Sequence, residues 1–241
     1  METANITAAS RPPESLAERA ARAIGGAIVG GDHAPGAILP VEADLARPLG
    51  VSRNVVREAV KTLAAKGLLR TNRRGGTVVL PVARWNLLDP QVIGWALAAA
   101  AQRGVALAEL AQLATMVLPE IAALAARHAT TAQMLRLAES CEAMGADDAG
   151  VIDAQVAFLA HVFAAARNRI AASLLPAFAA LWREAPLRRD DAAYGAVADA
   201  VREHDGAAAR QAMIDLLAAA TAETSAPRVR VRAGRRELPP H

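Results

Sequence analysis

Arg53 and Arg57 are the side chains whose type and spacing most plainly suit one chemistry. Four residues apart on a helix, they project from one face, and a guanidinium can hold O6 and N7 of guanine in a two-pronged fork. Asn54 can do the same to an adenine. Ser52, immediately before them, can cap the helix and also reach a phosphate. Arg73 and Arg74, with Gly75 behind them, form a second basic point suited to the DNA backbone or minor groove. Lone arginines are more often a solvated face, so their surroundings decide. Between residues 51 and 80, seven Lys or Arg side chains stand against one acid, Glu58. Residues 81–225 reverse the balance with 11 basic and 16 acidic side chains, although the whole chain carries only +3. Such a division implies that one segment meets a polyanion and the next does not.

The elements that must present these groups follow from the pattern around them. Leu16, Ala20, Ile24, Ala27 and Ile28 recur at helical spacing, and Ser15 with Glu18 is a capping box. The Gly- and Pro-containing stretch 30–37 ends that helix. A short second helix is predicted from Val41 to about Pro48, then a turn at Leu49-Gly50-Val51. A third helix, capped by Ser52, runs to about Lys66, with Gly67 as its C-terminal glycine. Its inner face is Val51, Val56, Ala59, Val60 and Leu63. Two β-prone runs, 68–71 and 77–80, flank a glycine-containing loop and predict a hairpin. Helix, helix, turn, helix, hairpin is the order of a winged helix-turn-helix, placed at about 10–80.

Residues 81–89, with Trp85 and Asn86, read as a linker. Beyond it the pattern is helical throughout: about 90–103, 105–128, 131–144, 150–167, 169–183, 190–203 and 206–222. Pro119 is expected to kink or divide its helix. Alanine supplies most of the 54% hydrophobic content and aromatics only 3%, which favours helix over sheet. The fold class expected is mainly α: the winged helix joined to an all-α bundle at 90–224. The tail 225–241, with Arg228, Arg230, Arg232, Arg235 and Arg236, reads as basic and mobile. The single cysteine, Cys141, rules out an internal disulfide and a thiolate zinc cluster. No signal-peptide pattern opens the chain and no stretch approaches about 20 purely apolar residues, so a cytoplasmic protein without a membrane partner is expected.

The run from Gly36 to Gly67, with L-P-V-E-A-D-L-A, G-V-S-R-N-V-V-R-E-A-V and the closing glycine, then G-G-T-V-V at 75–79, resembles the GntR family of bacterial regulators. By that resemblance Arg53 and Arg57 are the main base or phosphate contacts, with Ser52, Asn54 and Val55 beside them and the wing following. Ala43 departs from relatives that carry a polar residue there, and implies one phosphate contact fewer. The helical half resembles the FCD-type ligand domains of the fatty-acid-regulator subfamily. The resemblance lies in L-D-P-Q-V at 88–92, P-E-I-A-A-L-A-A at 119–126, D-A-Q-V-A-F at 153–158 with Asn168, and D-G-A-A-A at 205–209. The segment N-L-L-D-P is most similar to regulators of sugar-acid operons, galactonate repressors among them.

Many domains of that type hold a divalent metal with one Asp and three His. Here the aligned positions are Gln155, Leu159, Tyr194 and about Leu216, and the family's Arg and Glu before Pro119 are replaced by Ala114 and Leu118. Leucine cannot ligate a metal, and neutral Gln and Tyr are poor substitutes for carboxylate and imidazole. The resemblance therefore implies a metal site that these residues do not supply, and no metal or other cofactor is expected. His161, with Asp153 as a companion, is the remaining alternative cluster. An effector pocket around Ala114, Gln155, Leu159, Tyr194 and Leu216 would suit a small organic molecule of modest polarity better than a charged sugar acid. The alternative is a filled interior and a regulator that ignores ligands. No nucleophile elbow, phosphate-binding loop or paired carboxylates point to an enzyme. The expectation is a homodimeric repressor on a palindromic operator, answering to a small-molecule effector.

Overall fold

The computed structural model describes residues 14–72, 75–146, 150–187 and 190–224. The chain forms two compact units, one drawn from Met1–Leu113 and Ser173–Ala185, the other from Ala114–Ala172 and Pro186–His241.

In the first unit, α1 (Leu16–Gly30) starts at the capping box anticipated from sequence. Ser15 Oγ accepts from the Glu18 N–H at 3.1 Å, and Glu18 returns a carboxylate to the Ser15 N–H at 2.7 Å. Gly31 ends the helix in the left-handed region. Helices α2 (Glu42–Leu49) and α3 (Arg53–Ala65) follow, and α3 packs against both α1 and α2. Ile24, Ile28, Val56, Ala59, Leu63 and Leu68 are almost fully buried between them. Each large apolar side chain buried there contributes roughly 1.5–3 kcal/mol, which holds a three-helix unit that is too small to be stable by helix propensity alone.

Strands β1 (Leu69–Asn72) and β2 (Gly76–Val79) pair antiparallel, Leu69 opposite Val79 and Asn72 opposite Gly76. A single bridge from Ile38 to Val78 adds the loop before α2 to this hairpin. Arg73 and Arg74, at the expected wing tip, lie outside the described residues. Gly67 has φ +78°, and a Cβ there would lie 2.1 Å from the Arg84 carbonyl oxygen, so only glycine fits.

The stretch read as a linker is tied to the winged helix. A 3₁₀ turn spans Val82–Arg84, the Trp85 indole N–H donates to Leu80 O at 2.8 Å, and the Asn86 N–H donates to Lys66 O at 2.8 Å. The Lys66 ammonium meets Asp89 Oδ2 at 2.6 Å, while Asp89 Oδ1 caps α4 (Pro90–Ala98) by accepting from the Gln91 and Val92 N–H groups. Burial works to raise the Asp89 pKa, but Lys66 and these backbone donors outweigh it and hold the carboxyl below its ordinary value. Helix α4 packs on α1 with the Trp95 ring over Gly25, where a Cβ would come within 2.5 Å of it.

The break expected near residue 104 falls instead at Ala99, whose backbone is extended, and Gly104 lies inside α5 (Ala100–His128). Nor does Pro119 divide α5. An interior proline costs about 3 kcal/mol, but Leu118, Ile121 and Ala122 beside it are buried and keep the helix in register. The helix expected at 169–183 is two, α8 (Arg169–Ala172) and α9 (Leu175–Glu184). Pro176 has no N–H to continue a helix and sits in the first turn of a new one. In the first unit α9 packs against α4.

The second unit holds the later part of α5 with α6 (Thr131–Ala146), α7 (Val151–Ala165), α8, α10 (Asp191–Arg202) and α11 (Gly206–Thr224). Helix α6 packs on α7 and α10, and α10 on α11. Asp190 caps α10 and Asp205 caps α11 through their carboxylates. Helix α5 is long and apolar enough to cross a membrane by length and composition, against the sequence expectation that no stretch qualifies. Core helices of globular proteins pass the same test, and Leu110, Ala114, Leu118, Ile121, Ala125 and Ala126 of α5 are buried inside the protein.

Candidate functional site

Ser52 caps α3: its Oγ accepts from the Val55 N–H at 3.3 Å, and its backbone is extended. The cap orients the first turn, so Arg53, Asn54 and Arg57 are exposed while Val56, Ala59, Val60 and Leu63 face the core and Val51 and Val55 are partly buried. The N-terminal turn of this helix is the part that meets base edges when such a motif docks in a major groove.

Arg53 and Arg57 line a concave surface of about 450 Å³ together with Pro40, Glu42, Ala43, Thr71 and Thr77. Its walls are the start of α2, the outer face of α3 and the turn end of the hairpin. A phosphate-bearing strand fits between a recognition helix and a wing in this way. Ala43 lies on this wall without a polar atom in its side chain, in keeping with one contact fewer.

Glu42 was not singled out from sequence. Arg57 donates to it through Nε at 3.0 Å and Nη2 at 2.7 Å, a two-pronged pair bridging α2 and α3. That hydrogen bond holds the Glu42 carboxyl below its ordinary pKa; slight burial opposes it, and the charges of Arg57 and Arg53 add to it. The pair is half-exposed, so its value is positional more than energetic. It fixes the plane of the Arg57 guanidinium and leaves its remaining N–H groups for an outside acceptor. The available signal was the acid of Leu39-Pro40-Val41-Glu42, the acidic position of the family pattern. Arg53 has no hydrogen-bond partner among the described residues. Gly75 is exposed at the hairpin, with Asn72 beside it.

The five residues expected around an effector are all buried in the second unit: Ala114, Gln155, Leu159, Tyr194 and Leu216. Gln155 and Tyr194 are both 0% exposed. The Tyr194 ring meets Phe158 edge-on, with centroids 5.1 Å apart, and Phe158 lies one turn along α7 from Gln155. Gln155 Nε2 donates to Leu187 O at 2.9 Å. Gln155 Oε1 and the Tyr194 hydroxyl are buried with no hydrogen-bond partner.

Those residues do not fit the metal that the resemblance implies. Of the four positions aligned with the metal ligands, Leu159 and Leu216 are aliphatic and Gln155 and Tyr194 neutral, Tyr194 being held as a phenol because burial and the neighbouring Cys141 raise its pKa. His161 and Asp153 do not form a substitute. Eight residues apart on α7, they are separated by a rise of roughly 12 Å, and His161 Nδ1 is paired with Ser140 Oγ at 2.8 Å. His204 Nδ1 is engaged with Ala126 O at 2.8 Å.

Comparison with known proteins bears on the whole arrangement. The model of the family described as bacterial regulatory proteins, gntR family, matches residues 16–79. The galactonate operon transcriptional repressor of Escherichia coli (strain K12) is 30% identical over 211 residues, covering 82% of this chain and 92% of that protein. The HTH-type transcriptional regulator YieP of the same organism is 46% identical over 82 residues, 34% of this chain and 32% of its own. Among solved structures, Lar, described as controlling expression of the Listeria monocytogenes agr system, aligns with TM-score 0.53 at 18% identity, covering 87% of this chain and 96% of its own.

Proposed function

The chain belongs to the gntR family of bacterial regulatory proteins, a DNA-binding transcriptional regulator, and we propose that it acts as a homodimeric repressor whose grip on a palindromic operator is set by a small organic molecule held in an FCD-type second unit. The observation that supports DNA reading is the exposed Arg53–Asn54–Arg57 face beside the concavity under the hairpin. Arg53, Asn54 and Arg57 read base edges, Ser52 and Val55 set the helix start, and Arg73, Arg74 and Gly75 approach the backbone or minor groove. Two identical heads require two half-sites related by a dyad. The domain assignment kept with this reading is 10–80 for the DNA head, 81–89 for its connection, 90–224 for sensing and pairing, and 225–241 for a basic tail; the setting is cytoplasmic and the role non-enzymatic.

Ligand control rests on the two unpartnered polar atoms inside the second unit. A ligand acts by favouring one placement of the two heads over another. The relative's name ties that protein to galactonate, but here a sugar acid is not the expected effector, because the buried groups offer it neither cation nor metal. The test is selection of bound genomic fragments by the purified chain, then footprinting. Two protected half-sites about one helical turn apart, released by some compound of low molecular mass, are expected. Equal binding to random duplex would remove the operator reading, and release by no compound would remove ligand control.

A further inference from the structure

Burying a polar atom without a partner costs roughly 1–3 kcal/mol, so two such atoms in one unit mark a place built to be completed. Gln155 Oε1 and the Tyr194 hydroxyl are two such atoms; the Tyr194 ring packs edge-on against Phe158, one turn along α7 from Gln155. The Gln155 amide is not free to turn, because its NH₂ end is spent on Leu187 O. Its carbonyl is thereby presented as a fixed acceptor.

We infer that the interior of the second unit recognises an uncharged molecule directly, with no metal ion, through a donor given to Gln155 Oε1 and an acceptor placed on the Tyr194 hydroxyl. This rests on the ligand-control reading above and narrows it to one chemistry. The surroundings disfavour an anion. The Cys141 thiol, close enough to act on Tyr194, is pushed up to about 11 by burial and by Asp199, Asp191 and Glu142. Of the cations on neighbouring elements, Arg202 is spent on Asp199, and His161 is kept neutral by burial and by the charge of Arg136. None of the residues found around Gln155 and Tyr194 among the described ones is a buried cation, and burying a carboxylate unpaired is the costliest option. An alcohol or a primary amide carries both a donor and an acceptor and no charge.

The test uses the full chain in the presence of a chelator and matched probes that differ in charge: galactitol against D-galactonate, propanamide against propionate, cyclohexanol against cyclohexanecarboxylate. Binding is read by calorimetry and by thermal shift. The neutral member of at least one pair is expected to bind and its carboxylate to bind at least tenfold more weakly, with no gain on adding nickel or zinc. The near-isosteric Gln155→Met and Tyr194→Phe should each weaken the neutral probe by about tenfold. The comparison within a pair needs no variant, so a variant that misfolds does not blunt it. Preference for the carboxylates, binding that requires metal, or no binding across the panel would each overturn the inference, the last meaning that the two atoms face water or protein alone. A compound that releases operator yet ignores both substitutions would sink this site while leaving ligand control standing.

Discussion

The two units place their chemistry in opposite environments. In the winged helix the candidate groups are polar and exposed: Ser52 caps the turn that carries Arg53 and Asn54, and Glu42 fixes Arg57 from α2. In the second unit the corresponding groups are neutral and fully buried, and two of them lack a partner. A reader of DNA gains from water-facing cations, which release counterions on binding. A sensor of a small molecule gains from a dry interior in which one missing hydrogen bond matters.

That contrast can be broken at several points, beginning with the largest effect. Gly67→Ala should destabilise the winged helix by at least about 2 kcal/mol, since a left-handed backbone and a carbonyl 2.1 Å away both forbid the methyl. Gly195→Ala, in α10 with open space around it, should instead raise stability by up to about 1 kcal/mol. Thermal unfolding of the two variants gives opposite signs if the packing is as described. Glu42→Gln should change stability by less than about 1 kcal/mol but lower the ratio of operator to random-duplex affinity by up to about tenfold. Removing the acid favours any DNA while loosening the Arg57 guanidinium; titrations with both duplexes decide it.

The smallest effect is a pH dependence. Asp89 has a lowered pKa in the folded protein, so its contribution is complete above the unfolded carboxylate value near 4. It is lost as pH falls through the lower folded value. Lys66→Met removes the partner that opposes burial of Asp89. The variant should be less stable than the parent by about 1 kcal/mol at neutral pH, and the gap should close on acidification below about pH 4. Melting curves between pH 3 and 7 measure it, and a gap independent of pH would mean that the ion pair is not what ties the linker to α3.

Much of the winged helix was legible because its signals are local. Ser15 with Glu18, Ser52 before the basic turn, and Gly67 at the end of α3 are short-range capping chemistry, and each governs the element beside it. What sequence missed is non-local. Glu42 reaches Arg57 across fifteen positions, and α9 returns to pack on α4 far along the chain. Local propensity misplaced two breaks. Gly104 and Pro119 are helix-breakers by type, yet α5 runs through both; at Pro119 the burial of Leu118, Ile121 and Ala122 outweighs propensity, while Gly104, at an exposed position, costs the helix only about 1 kcal/mol. Among the effector positions, alignment indicated which residues are apolar or neutral. It could not show that Gln155 and Tyr194 are buried with polar ends unpaired, which is a fact of packing.

The central claim is that the outer face of α3 reads base identity. It is tested most directly by comparing the parent and Arg53→Ala on operator and on random duplex over a range of salt. The account predicts a steep loss of affinity with salt for both proteins. It also predicts that the substitution weakens operator binding by about tenfold or more while barely moving the affinity for random duplex. An Arg53→Ala protein that kept the parent's operator-to-random ratio at every salt concentration would contradict it.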